Sequence, residues 1–312
     1  MDSLTFEVQS LFYQSAYRGC IALAQMHSPS GPIDDESLLR LVYAARSALA
    51  LGDIPGARQL LGDDAEQPVA MSVLLLADFM EMHHAGDEEG SADVLEQMAT
   101  LLDVVEPGEL ASDIVRYNVG LALYTKGDST KALETLGVTG TGGSTKLECI
   151  SLGVHILLAI HRVDLAEKEY LAARQWGDDS VLVQYMEAWI GLVRGGRSTQ
   201  QAFYVYDEMS QSSTIANTQN MAPALIGKAV AQAAQLDVPA ASSTLQEAAS
   251  LDADHPLLSA NQAVVSALAT NVPAEDVDSW MSAHTNAVPD SHLARMWEEK
   301  RAALEEAVAS MA

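Results

Sequence analysis

The stretch NVGLALYTKGDSTKALETL, residues 118–136, decides the fold. It reads as helix, tight turn, helix. Gly120 leaves room where two helices would cross, since it carries no side chain. Gly127 suits the stop of the first helix, and Asp128 is placed to cap the start of the second. Ala132 is small enough to let the second helix lie against the first. Leu136 follows one turn later on the same face.

A small residue, a Gly-Asp turn, an Ala and then a bulky apolar residue make the tetratricopeptide (TPR) pattern. Taking the small residue of the second helix as an anchor, equivalents occur at Cys20, Ala57, Ala92, Ala132, Ala166, Ala202 and Ala241. Their spacings, by subtraction, are 37, 35, 40, 34, 36 and 39 residues, close to the roughly 34 of a TPR. Between anchors, Leu38, Leu39, Val42, Ala45 and Leu49 form a helical stripe, as do Leu182, Tyr185, Met186, Trp189 and Leu192. Most prolines (Pro55, Pro68, Pro107, Pro239, Pro256, Pro273, Pro289) fall at helix starts or in loops, and Pro223 lies where a helix should open. The Gly-rich stretch at 137–146 is the one evident loop and the expected hinge or nick site. The fold class is therefore all-α: an α-solenoid of about seven to eight TPR-like hairpins over residues 1–289, with a capping helix at 290–312. That last helix should present Leu293, Met296, Trp297, Ala302 and Leu304 as its apolar side.

Composition agrees. The chain has 312 residues, 48% of them hydrophobic and only 5% aromatic. Abundant Ala and Leu with few aromatics favours helices over strands. With 43 acidic and 17 basic residues, the net charge is -26. That opposes nucleic-acid binding, where cations must replace phosphate counterions, and direct docking on anionic lipid. A basic partner surface would complement it, or the charge serves solubility alone. Cys20 and Cys149 are far apart in apolar helical pattern, which fits a reducing compartment and no metal knuckle. No signal-type core or membrane-length run is visible, so any membrane contact is expected to be indirect.

Catalytic motifs are missing. His83 and His84 are adjacent and point to different sides of a helix, with no third ligand at fixed spacing. His155 and His161 are in poor register for joint ligation and read as packing or turn positions. GTGGSTK places its Lys after the hydroxyls with no strand before it, unlike a phosphate loop. No GxSxG, HExxH or Cys–His pairing appears. No catalytic residue, metal or cofactor is expected, and what remains is protein binding. Counting back from the anchors, the inner-face positions are Tyr117, Leu121, Tyr124, His155, Leu158, Tyr185 and Arg194. Each is either partner-facing or hairpin core.

Four stretches carry a family resemblance: SLFYQSAYRGCIALAQ (10–25), ECISLGVHILLAIHRVDLAEKEY (148–170), EAWIGLVRGGRSTQQAFYVYDEM (187–209) and LQEAASLDADHPLLSANQAVVSAL (245–268). Through these the chain resembles the epsilon subunits of coatomer, the COPI vesicle coat. The likeness runs nearly the whole length and is weakest over 62–110. The usual turn Gly is replaced by Leu236-Asp237, and the loop at 137–146 has the look of an insertion. The resemblance implies a non-catalytic scaffold that is cytosolic and peripheral on Golgi membranes, acting in Golgi-to-ER retrograde and intra-Golgi transport. It implies direct binding to the C-terminal domain of the alpha coatomer subunit, around which the array closes like a bracelet, and association with the other coatomer subunits. The alternatives are a TPR adaptor or co-chaperone gripping another protein's peptide, and an enzyme with an unrecognised site.

Overall fold

The computed structural model describes residues 2–27, 33–62, 65–105, 110–212, 218–255, 257–269, 273–288 and 291–311. Pro107, Pro256 and Pro289 lie outside them. Among the described residues there is no strand; there are seventeen α-helices and one 3-10 turn at Gln219–Met221. The helices pair in chain order: α1 (Ser3–Tyr13) with α2 (Tyr17–Met26), α3 (Asp35–Ala50) with α4 (Ile54–Leu61), and α5 (Pro68–His84) with α6 (Glu88–Val104). Next come α7 (Leu110–Thr125) with α8 (Ser129–Leu136), α9 (Leu147–Ala159) with α10 (Val163–Gly177), and α11 (Val181–Arg194) with α12 (Ser198–Ser210). The series ends with α13 (Ala222–Ala234) and α14 (Val238–Leu251), α15 (Leu258–Leu268) and α16 (Ala274–Ala287), and the unpaired α17 (His292–Met311). This is an all-α, TPR-like solenoid of eight hairpins and one further helix. Pro55, Pro68, Pro223 and Pro239 each sit at the first or second helical position, where a missing N–H costs nothing.

The hairpin turns share one chemistry. Asp53, Asp87, Asp128 and Asp237 each cap the second helix by accepting the N–H of the residue three positions on. The residue before each Asp is left-handed: Gly52, Gly86, Gly127 and, in the last case, Leu236 at φ +66°. Leu236-Asp237 therefore keeps the Gly-Asp turn geometry with a side chain that resists it. His161 and Ser15 are left-handed in their own turns as well. Four residues after the capping Asp comes the buried small residue: Ala57, Ala132 and Ala241 are fully buried there. In the third hairpin that position is Ser91, 1% exposed, and the expected anchor Ala92 faces solvent. The register is counted from the Asp cap, which puts Ser91 rather than its neighbour on the inward face.

A Cβ on Gly120 would lie 2.8 Å from Leu136, so the α7–α8 crossing needs the glycine. The loop at 137–146, expected to be a hinge, is instead fastened down. Val138 is fully buried in the core, and Gly142 N–H donates to Glu169 of α10 at 3.0 Å. Lys146 pairs with Asp113 at 2.8 Å. Close packing explains two of its glycines: a Cβ at 140 would lie 2.6 Å from Leu165, and one at 142 would lie 2.7 Å from Ala172.

Contacts divide the chain into two compact units, Met1–Val205 and Tyr206–Ala312. The first has a core that includes Leu136, Ile150, Ile156, Leu157, Tyr170 and Met186. The second is built on Leu225, Ile226, Ala229, Leu245, Ala248 and Leu258. Within the second unit, α17 touches α16. Ala294 is buried, but Met296 is 42% and Leu304 65% exposed. The apolar side expected to cap the array is thus covered near its start and open beyond.

Candidate partner-binding face

The first helices of the hairpins carry the residues of interest, and the turns set their register. Arg46, Leu121, His155 and Trp189 each stand six residues ahead of a left-handed turn residue: Gly52, Gly127, His161 and Gly195. Arg46, Leu121 and His155 are structurally equivalent positions on α3, α7 and α9, each eleven residues ahead of the buried small residue of the next helix (Ala57, Ala132, Ala166), whereas Trp189 on α11 stands thirteen ahead of Ala202 in a turn with two positive-φ glycines. Helical period places Tyr117, Leu121 and Tyr124 on one face of α7, and Glu148, Leu152 and His155 on one face of α9.

At the N-terminal end of this face the first helices are tied together. Glu148, at the start of α9, is reached from two non-neighbouring helices. Tyr13 of α1 donates to its Oε1 at 2.6 Å and Tyr43 of α3 donates to the same atom at 2.8 Å. Arg46 Nη2 donates to Oε2 at 2.9 Å, with both side chains under a tenth exposed. Gln9 Nε2 donates to both tyrosine hydroxyls. The Arg46 guanidinium lies over three rings, 4.5 Å from the Phe12 centre, 4.6 Å from that of Tyr117 and 5.3 Å from that of Tyr43, within cation–π range of each. Its Nε and Nη1 are buried without a hydrogen-bond partner. Burial works against the charge on Arg46, yet Glu148 and the tyrosines more than offset it and its pKa rises. Burial, then the charge on Glu148, pushes the Tyr13 and Tyr43 hydroxyls well above their ordinary range, and burial pushes Tyr117 to about 12. These contacts, with α1 touching α11, join hairpins that are not neighbours in sequence, beyond the nearest-neighbour interfaces of a simple repeat array.

At the C-terminal end the face is open and aromatic. The Tyr124 and His155 rings meet edge to face with centroids 5.9 Å apart, and His155 and Trp189 do the same at 6.1 Å. Tyr185 stacks parallel to Trp189 at 5.9 Å. The series crosses α7, α9 and α11. His155 is exposed, Tyr124 and Trp189 are half-buried, and Tyr185 is nearly buried. His155 is reachable by solvent yet crowded by protein, and this desolvation lowers its pKa, which favours a neutral ring.

Of the seven residues singled out from sequence, Tyr124, His155 and Tyr185 come together in this ladder. Tyr117 lies instead under Arg46. Leu121 packs against the core and Leu158 is buried in it. Arg194 is exposed and ion-paired to Glu167 at 2.6 Å, away from the rings. Sequence reasoning missed Tyr13, Tyr43, Arg46 and Glu148 as a group. Their signal was a lone Arg and a lone Glu inside apolar runs, LVYAARSALA and LECISLGVHILLA. The two cysteines are free and buried, and burial pushes their thiols to about 11 and about 12, so they stay protonated. Among the described residues no group of three His, Cys, Asp or Glu is placed to hold a metal. No described helix is long and apolar enough to cross a membrane.

The capped helical hairpins define a TPR-type α-solenoid. The chain belongs to the coatomer epsilon subunit family, whose model matches residues 1–312. It is 28% identical over 209 residues to coatomer subunit epsilon-2 of Oryza sativa subsp. japonica, spanning 66% of each chain. It is 26% identical over 261 residues to coatomer subunit epsilon-1 of Arabidopsis thaliana, covering 84% of this chain and 82% of that one. A probable coatomer subunit epsilon of Schizosaccharomyces pombe is 26% identical over 54% of this chain and 51% of its own. Among solved structures, the Cut9–Hcn1 hetero-tetramer of the APC/C superposes with a TM-score of 0.57 at 12% identity, over 94% of this chain and 54% of that one. A tetratricopeptide repeat protein from Parabacteroides merdae gives 0.53 at 12% identity, over 83% and 98%. These two establish the fold only.

Proposed function

We propose that this chain is a non-catalytic scaffold subunit of the COPI coat that binds and stabilises the C-terminal domain of the alpha coatomer subunit. Its setting is then the cytoplasm and the coated Golgi membrane, in retrograde Golgi-to-ER and intra-Golgi transport, with the membrane reached only through the coat. Membership of the coatomer epsilon subunit family supports a coat role. The observation that carries the binding reading is the aromatic ladder Tyr124–His155–Trp189–Tyr185, laid across three successive first helices. Such rings offer large apolar area with polar edges at little entropic cost, the composition of binding hot spots.

The test is co-purification with the alpha subunit's C-terminal domain from the same source. A stoichiometric complex that survives about 0.5 M salt, where surface charge is screened, supports the reading. The partner's melting temperature and protease resistance should rise on binding. No complex at micromolar concentration, or a partner whose stability does not change, would sink it.

A further inference from the structure

The first helices of the N-terminal unit hold two aromatic sites. One already contains a cation: Arg46 lies over the rings of Phe12, Tyr117 and Tyr43, with centroid distances of 4.5, 4.6 and 5.3 Å. At the other, His155 takes the register that Arg46 has on α3, and Trp189 lies beside it, flanked by Tyr124 and Tyr185. The nearest arginine in the sequence of α11, Arg194, is turned to Glu167. The rings there keep solvent-reachable surface on three successive helices. Ring faces attract cations within about 6 Å, and tryptophan does so best. The net charge of -26 steers cationic segments toward the chain.

We propose that the Tyr124–His155–Trp189 end of the face receives an arginine or lysine side chain from the partner, repeating in trans the cation–π seat that Arg46 fills in cis. This deepens the partner-binding reading and rests on it for the identity of the partner. The clasp on Glu148 restricts the docking segment to the open end. A neutral His155 presents no charge to repel the incoming cation.

Two measurements test this separately from that reading. The first uses the chain alone, labelled with 5-fluorotryptophan at its four tryptophans (176, 189, 280 and 297). The probe is a soluble peptide of alternating Gly and Arg, and the control is the same peptide with citrulline. The fluorine resonance lost in a Trp189→Phe chain should shift saturably with the arginine peptide and not with citrulline. No shift, or equal shifts, would overturn the proposal. The second uses the complex with the alpha subunit's C-terminal domain. Placing progressively fluorinated tryptophan at position 189 weakens the ring's attraction for cations at nearly constant size. Affinity should fall stepwise, by about threefold or more at full fluorination. A complex that forms with unchanged affinity across the series overturns the cation seat and leaves the binding reading standing. An arginine-specific shift without any complex has the opposite meaning.

Discussion

The hydroxyl of Tyr13 donates to Glu148 at 2.6 Å, across 135 residues of sequence. With Tyr43 and Arg46 it ties the first two hairpins to the fifth, so one buried carboxylate serves three donors. Breaking such a pair leaves a buried charge uncompensated, which costs more than the pair itself contributes. Glu148→Ala is therefore expected to destabilise the chain by about 3–5 kcal/mol. The double change Arg46→Met with Glu148→Met removes both charges and should cost much less than the sum of the single changes. Urea unfolding of the four proteins measures the coupling; additive effects would mean that the two side chains do not act as a unit.

Leu236 sits at φ +66° with its side chain 81% exposed, in the place where Gly52, Gly86 and Gly127 serve the other turns. A left-handed conformation costs a side-chain-bearing residue roughly 1–2 kcal/mol, and the exposed leucine gains little from packing. Leu236→Gly should therefore stabilise the C-terminal unit by about 1 kcal/mol, less the entropy that glycine adds to the unfolded chain. Gly127→Leu, the reverse change in the N-terminal unit, should destabilise. Thermal melts of both variants check the sign, and a lower melting temperature for Leu236→Gly would contradict the strain argument.

The repeat was legible because its determinants are local. A capping Asp, a left-handed residue before it and a small residue four positions after it all lie within six residues, and each acts through backbone geometry. Ala92 was taken for the anchor instead of Ser91, although the cap sets the register and Ser91 stands 34 residues after Ala57. The Glu148 clasp was not legible, since its partners lie 102, 105 and 135 residues away. Helical periodicity marks a face as apolar but does not say which distant helix will cover it. So α3, read as having one apolar stripe, is buried from Leu41 to Leu49 on every side. The aromatic ladder was half legible for the same reason. Counting back from the anchors reached Tyr124, His155 and Tyr185, while Trp189 was assigned to the hairpin stripe alone.

A Cβ on Gly153 would lie 2.6 Å from Val138, whose short β-branched side chain is fully buried and has no rotamer in which to retreat. Overpacking of this kind costs about 1–3 kcal/mol. Gly153→Ala is expected to lose that much, and adding Val138→Ala should restore most of it. Because Val138 anchors the 137–146 loop, Gly153→Ala should also speed cleavage there by a nonspecific protease, with slow cleavage in the parent chain. Cleavage of the parent loop as fast as of the variant would show that Val138 does not hold it.

The clasp should also set the alkaline limit of the N-terminal unit. Tyrosine ionises near pH 10 when unfolded. Burial and the nearby Glu148 charge hold Tyr13 and Tyr43 neutral well above that in the folded chain. A folded pKa raised above the unfolded one contributes stability that is complete below about pH 10 and is lost as pH rises past it, since only the unfolded chain then releases the proton. Unfolding free energy measured from pH 8 upward should thus begin to fall as the two cysteines ionise in the unfolded chain, since their buried thiols are held to about 11 and about 12, and should fall more steeply beyond about pH 10 as the tyrosines join. Tyr13→Phe loses a hydrogen bond to a carboxylate, about 1.5–3 kcal/mol, at neutral pH. It also removes one titrating group, so its curve should fall less steeply and approach that of the parent at high pH. Parallel curves for the two proteins would show that Tyr13 titrates alike in both states, and that the hydroxyl does not meet Glu148 in the way its 2.6 Å contact requires.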